Sequence, residues 1–118
     1  MNNLARNLLA AVDAQDMDQF LGFIAPDARF RFGSAPPVVG HAAIRDAVGG
    51  FYASIAGLTH TISRTISDGS GLVIEGEVTY RRHDESEVAL PFVNVLEVAD
   101  SVITDYKIYI DIGPLYAE

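Results

Sequence analysis

Val88-Ala-Leu-Pro-Phe-Val-Asn-Val-Leu-Glu-Val98, Ala99-Asp-Ser101 and Val102-Ile-Thr-Asp-Tyr-Lys-Ile-Tyr-Ile-Asp-Ile112 form the stretch around which the chain is organised. Two runs rich in β-branched and aromatic residues, joined by a short polar turn, predict a long antiparallel hairpin. In the second run Asp105, Lys107, Tyr109 and Asp111 alternate with Tyr106, Ile108 and Ile110. A strand sends these two sets to opposite faces, one polar and one apolar. A polar row facing water is the ordinary signature of a half-buried strand. A polar row facing a pocket is a candidate site, and the rest of the chain bears on the choice.

Composition narrows the field. A chain of 118 residues fits a single domain, 1–118, that buries roughly two thirds of its unfolded surface and has room for one core with a cavity. Its apolar fraction of 49% with 20% charged residues is that of a globular protein. Sixteen acidic against 8 basic residues give a formal charge of -8, which opposes phosphate backbones and anionic lipid, so neither nucleic acid nor membrane is an expected partner. Without cysteine there is no thiolate chemistry, and His41, His60 and His83 stand too far apart in sequence for a metal-ligand spacing. No apolar run approaches the roughly 18 residues of a membrane span, and the first residues lack the pattern of a secretory leader. The expectation is a soluble cytoplasmic protein that works without metal or cofactor.

Taken in order, Leu4, Leu8, Ala11 and Val12 recur at helical spacing over residues 3–14. Asp16 stands three residues before Gln19 in a capping arrangement, and Met17, Phe20, Leu21 and Ile24 follow on one helical face, ending before Pro26. Ala28-Arg-Phe-Arg-Phe32 alternates as a strand, followed by a Gly-Ser-Ala-Pro-Pro loop and a short extended Val38-Val39. Ile44, Val48, Phe51 and Ile55 line a third helix over 41–55, in which Gly49 and Gly50 point to close packing or a bend. Residues 59–67 and 72–82 and the closing hairpin add strands separated by turn-forming residues. Helices followed by a meander define an α+β fold, and three N-terminal helices laid on a curved, mainly antiparallel sheet make a cone that encloses a pocket.

Ala10-Ala-Val-Asp-Ala-Gln-Asp-Met-Asp18, Phe23-Ile-Ala-Pro-Asp-Ala-Arg-Phe30, Gly40-His-Ala-Ala-Ile-Arg45 and the strand at 102–112 resemble the NTF2-like superfamily, with its ketosteroid isomerases, SnoaL-like polyketide cyclases and limonene-epoxide-hydrolase-like enzymes. The resemblance covers nearly the whole chain and implies a homodimer with a pocket between sheet and helices. It does not imply a reaction, because the superfamily holds enzymes and non-enzymes. Laid on the isomerase pattern, the positions of the proton-transferring aspartate and of the two oxyanion-hole groups fall on Phe32, Leu8 and Val93. None of these side chains can do that chemistry, so steroid isomerisation by that mechanism is not expected.

The same resemblance turns Ile74, Val78, Tyr80 and Arg82, then Ala89, Pro91, Val93 and Val95, and finally Asp105, Lys107, Tyr109 and Asp111 towards the cavity. Asp111 becomes the candidate acid or base, because it lies in an apolar run where desolvation raises a carboxyl pKa. Tyr109 and Arg82 become its supports. Tyr80, Asp105, Lys107, Tyr52, Phe32, Val93 and His60 become candidate ligand contacts, His60 because it shares parity with Ile62 and Ile66. A strand-end ion pair between Asp105 or Asp111 and Lys107 or Arg82 explains the charged residues equally well. The opposite face, with Leu90, Phe92, Leu96, Tyr106, Ile108 and Ile110 around Asn94, then needs cover, and a second subunit would supply it. Two functions stay open: a cofactor-independent acid/base enzyme of isomerase, cyclase or hydrolase type acting on a small, largely apolar molecule, or a non-catalytic ligand-binding or dimeric interaction module.

Overall fold

The computed structural model describes residues 2–117. Helices α1 (Asn2–Asp13) and α2 (Met17–Gly22) lead into strand β1 (Ile24–Phe32), a short β2 (Val38–Val39) and helix α3 (His41–Ala53). Strands β3 (Gly57–Asp68), β4 (Gly71–Arg81), β5 (Glu87–Ala99) and β6 (Val102–Ile110) follow, and a single turn α4 (Gly113–Tyr116) ends the described chain. The strands form one six-stranded sheet in the order β2-β1-β6-β5-β4-β3. Every pairing is antiparallel except β1 with β6. The α+β class and the three N-terminal helices are those the sequence predicts.

Local chemistry accounts for the joints. Asp16 caps α2, its carboxylate accepting from the Gln19 backbone N–H at 3.1 Å, as their spacing predicts. Asp100 (φ 53) and Ser101 (φ 69) are both left-handed, the two-residue turn that matches the twist of a hairpin. Gly40 (φ 91) takes a backbone conformation closed to other residues at the start of α3, where His41 Nε2 lies 2.8 Å from the Ile24 carbonyl. Gly49 and Gly50 are not required by space: a Cβ at Gly49 would meet only the end of Met17 at 3.9 Å, and one at Gly50 would meet nothing. The close packing expected there is absent.

Sheet curvature has a local source in β3 and β4. The register slips between Ile62 and Arg64, a bulge that bends β3 over its neighbour. Opposite it stands Gly76, where a Cβ would lie 2.0 Å from the Thr61 carbonyl oxygen. Only a residue without a side chain lets the two backbones come this close. The bulge also ends the parity running from His60 through Ile62, so Ile66 emerges on the outer side, exposed.

The register fixes which side chains share a face. Ile74, Asn94 and Ile108 lie side by side, as do Leu72, Leu96 and Tyr106, and these rows turn inwards onto the helices. Leu90, Phe92, Asn94, Leu96 and Tyr106 are all buried. This corrects the faces expected for β5 and β6. The apolar row is covered by the chain's own helices, so Phe92, Tyr106, Ile108 and Ile110 are not a surface for a second subunit. Val93, Val95, Asp105, Lys107 and Tyr109 occupy the outer face. For β4 the inward set of Ile74, Val78 and Tyr80 is as expected, whereas Arg82 lies past the strand end in the turn before β5. A slip of one residue between strands exchanges every side chain between faces, and burial of the larger apolar set decides the outcome.

Candidate functional site

The curvature leaves a cavity of about 250 Å³ between the inner face and the helices. Phe20 from α2, Phe30 and Phe32 from β1, Phe51 and Tyr52 from α3, and Tyr80, Phe92 and Tyr106 from the sheet give it an aromatic lining, with aliphatic side chains between them. The rings support one another: Phe51 packs edge-on against Tyr80 at 5.5 Å, Phe20 against Tyr106 at 5.9 Å, and Phe32 lies 4.9 Å from Phe51. Exposed Ala35, on the loop after β1, and exposed Ala47, on α3, flank the cavity where it meets solvent. The Arg31 Nε donates to the Ala35 carbonyl at 3.0 Å and holds that loop. An apolar cavity of roughly 150 Å³ accepts a benzene ring, so this one has room for two fused rings.

Few polar groups enter this wall. His60, from β3, packs edge-on against Phe92 at 5.0 Å. Its Nδ1 lies 2.5 Å from Asp13 Oδ1 at the end of α1, and its backbone N–H donates to Asp13 Oδ2 at 2.8 Å. One carboxylate thus fixes both the ring and its strand. The His60 side chain is 10% exposed and that of Asp13 24%, because Asp13 also borders a separate polar cleft with Gln15, Thr59, Arg81 and Glu87. The dyad spans the wall between a dry cavity and a wet surface. Nδ1 being taken by Asp13, Nε2 is the nitrogen left for a ligand, able to accept a proton or, once the ring is protonated, to return one.

Tyr52 donates its hydroxyl to the Val12 carbonyl at 3.1 Å. Burial, with the Asp13 charge adding to it, pushes its pKa up from 10.0 to about 12. Burial also raises the Tyr80 and Tyr106 phenols well above the usual tyrosine range, with smaller contributions from neighbouring ionisable groups. All three stay neutral wherever a protein normally works. Asn94, the last polar side chain in the wall, is 2% exposed, and among the described residues its Oδ1 has no hydrogen-bond partner.

Of the residues singled out from sequence, Phe32, Tyr52, His60 and Tyr80 line this cavity. Val93, Asp105 and Lys107 stand on the outer face of the sheet. The Asp111, Tyr109 and Arg82 set is not brought together. Asp111 follows β6, its Oδ1 accepting from the Gly113 N–H at 3.1 Å just before α4. Tyr109 is 55% exposed on the outer face. Arg82 donates to the carbonyls of Leu115 at 3.0 Å and Pro114 at 2.9 Å and to Ser86 Oγ at 3.1 Å, which pins the C-terminal turn to the sheet. Sequence reasoning passed over Asp13, because its partner lies 47 residues away. Asn94 had a visible signal, a polar residue inside an apolar run. Among the described residues no three His, Asp or Glu side chains gather as a metal site, and no helix is long and apolar enough to cross a membrane.

A curved, mostly antiparallel sheet folded around helices, with its pocket between the two layers, is the NTF2-like fold. The SnoaL-like domain model matches residues 5–106, and the chain belongs to that family. Among solved structures it is similar to an NTF2-like protein of unknown function from Burkholderia pseudomallei, with TM-score 0.87 and 18% identity over 96% of this chain and 92% of that one. A protein named for the SnoaL-like polyketide cyclases, from Jannaschia, gives TM-score 0.83 and 17% identity over 96% and 86%. An LEH-like epoxide hydrolase from M. tuberculosis gives 0.79 and 19% over 94% and 82%. At these identities the likeness is one of fold. No protein in the curated set matches the sequence.

Proposed function

We propose that the chain binds a small, largely apolar, uncharged ring compound between sheet and helices and moves a proton on it without a cofactor. His60 exchanges the proton and Asp13 orients the imidazole. The observation that carries this is the dyad itself, a hydrogen-bonded His–Asp pair whose ring reaches an otherwise largely apolar cavity. In the step envisaged, His60 Nε2 takes a proton from an acidic C–H or O–H of the ligand, and Asp13 stabilises the imidazolium that forms. The neutral phenols of Tyr80 and Tyr106 are suited to hydrogen-bond the developing oxyanion, the Tyr52 proton being taken by the Val12 carbonyl. The proton then returns to the same or a neighbouring ligand atom, which is the elementary move of isomerases and cyclases alike.

The test is solvent-deuterium exchange at the carbon next to the carbonyl of 6-hydroxy-1-tetralone, a two-ring ketone, followed by NMR. Wild-type protein is expected to accelerate it. His60→Gln should lower the protein-dependent rate about 10²-fold, and Asp13→Asn should lower it while leaving binding intact. Binding of the ketone with no exchange beyond that of His60→Gln would favour the non-catalytic ligand-binding function instead.

We also propose a homodimer formed across the outer face of the sheet. Arg29, Arg31 and Lys107, with Asp105 among them, lie on the β1 and β6 side of that face, Glu75 and Glu77 lie on β4, where Arg64 pairs with Glu75, and Val73, Val93, Val95 and Tyr109 form an apolar strip alongside. A two-fold axis through the apolar strip buries it against the same strip of a second copy and brings the β1 and β6 side of one copy towards β4 of the other.

A further inference from the structure

Two phenols in the cavity wall have hydroxyls that the protein leaves open. Among the described residues, Asn94 Oδ1 and Asp105 Oδ1 are the side-chain oxygens sealed in the protein without a hydrogen-bond partner. The hydroxyls of Tyr80 and Tyr106 have no partner among those residues either, yet they are not sealed. Both residues are buried and line the cavity, so the space their hydroxyls open into is the cavity. The two stand far apart along the sheet. Tyr80 pairs with Val88 near the start of β5, and Tyr106 with Leu96 near its end. His60 lies opposite Val78, two residues from Tyr80, which makes His60 and Tyr80 diagonal neighbours on the inner face, near enough for both side chains to meet one ligand. Burial raises the Tyr80 pKa, with Tyr116 and then Asp13 adding to it, and burial raises that of Tyr106, with Tyr52 and then Tyr80 adding to it. Tyr80 is thus within reach of the dyad, and Tyr106 faces the same space from farther along the sheet.

The dyad leaves a task that His60 cannot perform. A carboxylate only accepts, so the Nδ1 facing Asp13 carries the imidazole's proton and the neutral ring has none on Nε2. A base of this form takes a proton from the ligand but gives no hydrogen bond to the ligand oxygen beside it. We propose that the two phenols read two oxygens at opposite ends of the ligand: Tyr80 donates to the carbonyl oxygen next to the carbon that His60 deprotonates, and Tyr106 donates to a second oxygen across the ring system. The ligand class is a fused-ring ketone with a hydroxyl at its far end. This rests on the ring-binding and proton-moving reading put forward above and adds which oxygens the ring carries and what holds each. Tyr80 is then a catalytic residue, and Tyr106 fixes which end of the ligand enters beside the dyad.

The test is calorimetric titration of 6-hydroxy-1-tetralone, 1-tetralone, 6-hydroxytetralin and tetralin into wild type, Tyr80→Phe and Tyr106→Phe. The probes share one two-ring frame and carry both oxygens, the carbonyl alone, the hydroxyl alone, or neither. In wild type each oxygen is expected to tighten binding about ten-fold, the value of one neutral hydrogen bond. Tyr106→Phe should lose the gain from the hydroxyl and keep that from the carbonyl, and Tyr80→Phe should do the reverse. Tetralin needs neither phenol and should bind both variants as it binds wild type. A hydroxyl gain that survives in Tyr106→Phe, or a carbonyl gain that survives in Tyr80→Phe, overturns the assignment. Equal binding of all four probes by wild type also overturns it and leaves the ring-binding cavity standing. Loss of tetralin binding in either variant would give that phenol a structural role and count against the proposal. If no probe binds wild type, the ring-binding cavity fails and the proposal falls with it. Separate gains in a protein that exchanges no deuterium would uphold the two-oxygen assignment and count against the proton transfer alone.

Discussion

Burial keeps the hydroxyl of Tyr52 protonated up to about pH 12, whereas in the unfolded chain it ionises near 10.0. Between these values the unfolded state has released a proton that the folded state retains. The unfolded state is thereby favoured, and stability falls as pH rises through that window. Tyr80 and Tyr106 are shifted in the same direction and extend the effect upwards. The denaturant midpoint is therefore expected to decline steadily above pH 10, and Tyr52→Phe should decline less steeply; an identical slope in that variant would assign the whole effect to the other two phenols. What a sequence reveals at this scale depends on reach. The inward direction of His60 was legible from its neighbour Ile62, two residues on, but its partnership with Asp13 depends on where the end of α1 comes to rest against β3, which no local spacing encodes.

At the scale of elements, the placement of strands and helices was legible because hydrophobic period and turn chemistry are local properties. The facing of β5 and β6 was not. Both strands alternate cleanly, and alternation states that two faces differ without stating which is buried. The expected facing was carried by the resemblance, and it is the opposite of the one the register gives; a shift of a single residue suffices to exchange the faces. Had burial alone been weighed, Phe92, Leu96 and Tyr106 would have been turned inwards over Val93, Val95 and Lys107, being the larger apolar set. Two glycines now make opposite predictions. Gly76→Ala drives a methyl group into the Thr61 carbonyl, and is expected to lose about 1–3 kcal/mol of stability as the bulge and the cavity beneath it distort. Gly50→Ala, in the last turn of α3 with open space around it, is expected to gain about 0.5–1 kcal/mol from helix propensity. Denaturant midpoints of the two variants measure both, and a silent Gly76→Ala would remove the stated source of the curvature.

For the whole molecule, the cone with a pocket was readable from the order of elements and the resemblance they carry, but the surface left for a partner depended on the facing just corrected. On the outer face Val95→Glu places a charge in the apolar strip without touching the cavity. Light scattering should give twice the chain mass for wild type at micromolar concentration and a single chain mass for this variant; a monomeric wild type would contradict the proposed dimer. The fold leaves another place where a second chain could attach, the free side of β3, which is a sheet edge twelve residues long. Unpaired backbone donors on such an edge are templates for uncontrolled strand addition and aggregation. Asp13 occupies one of them, taking the His60 backbone N–H at 2.8 Å, and the bulge between Ile62 and Arg64 spoils the regular ladder just beyond. The carboxylate that holds the imidazole in place therefore also covers part of an edge, and a side chain at position 13 with no acceptor would free one edge donor at the same position where the dyad is disabled.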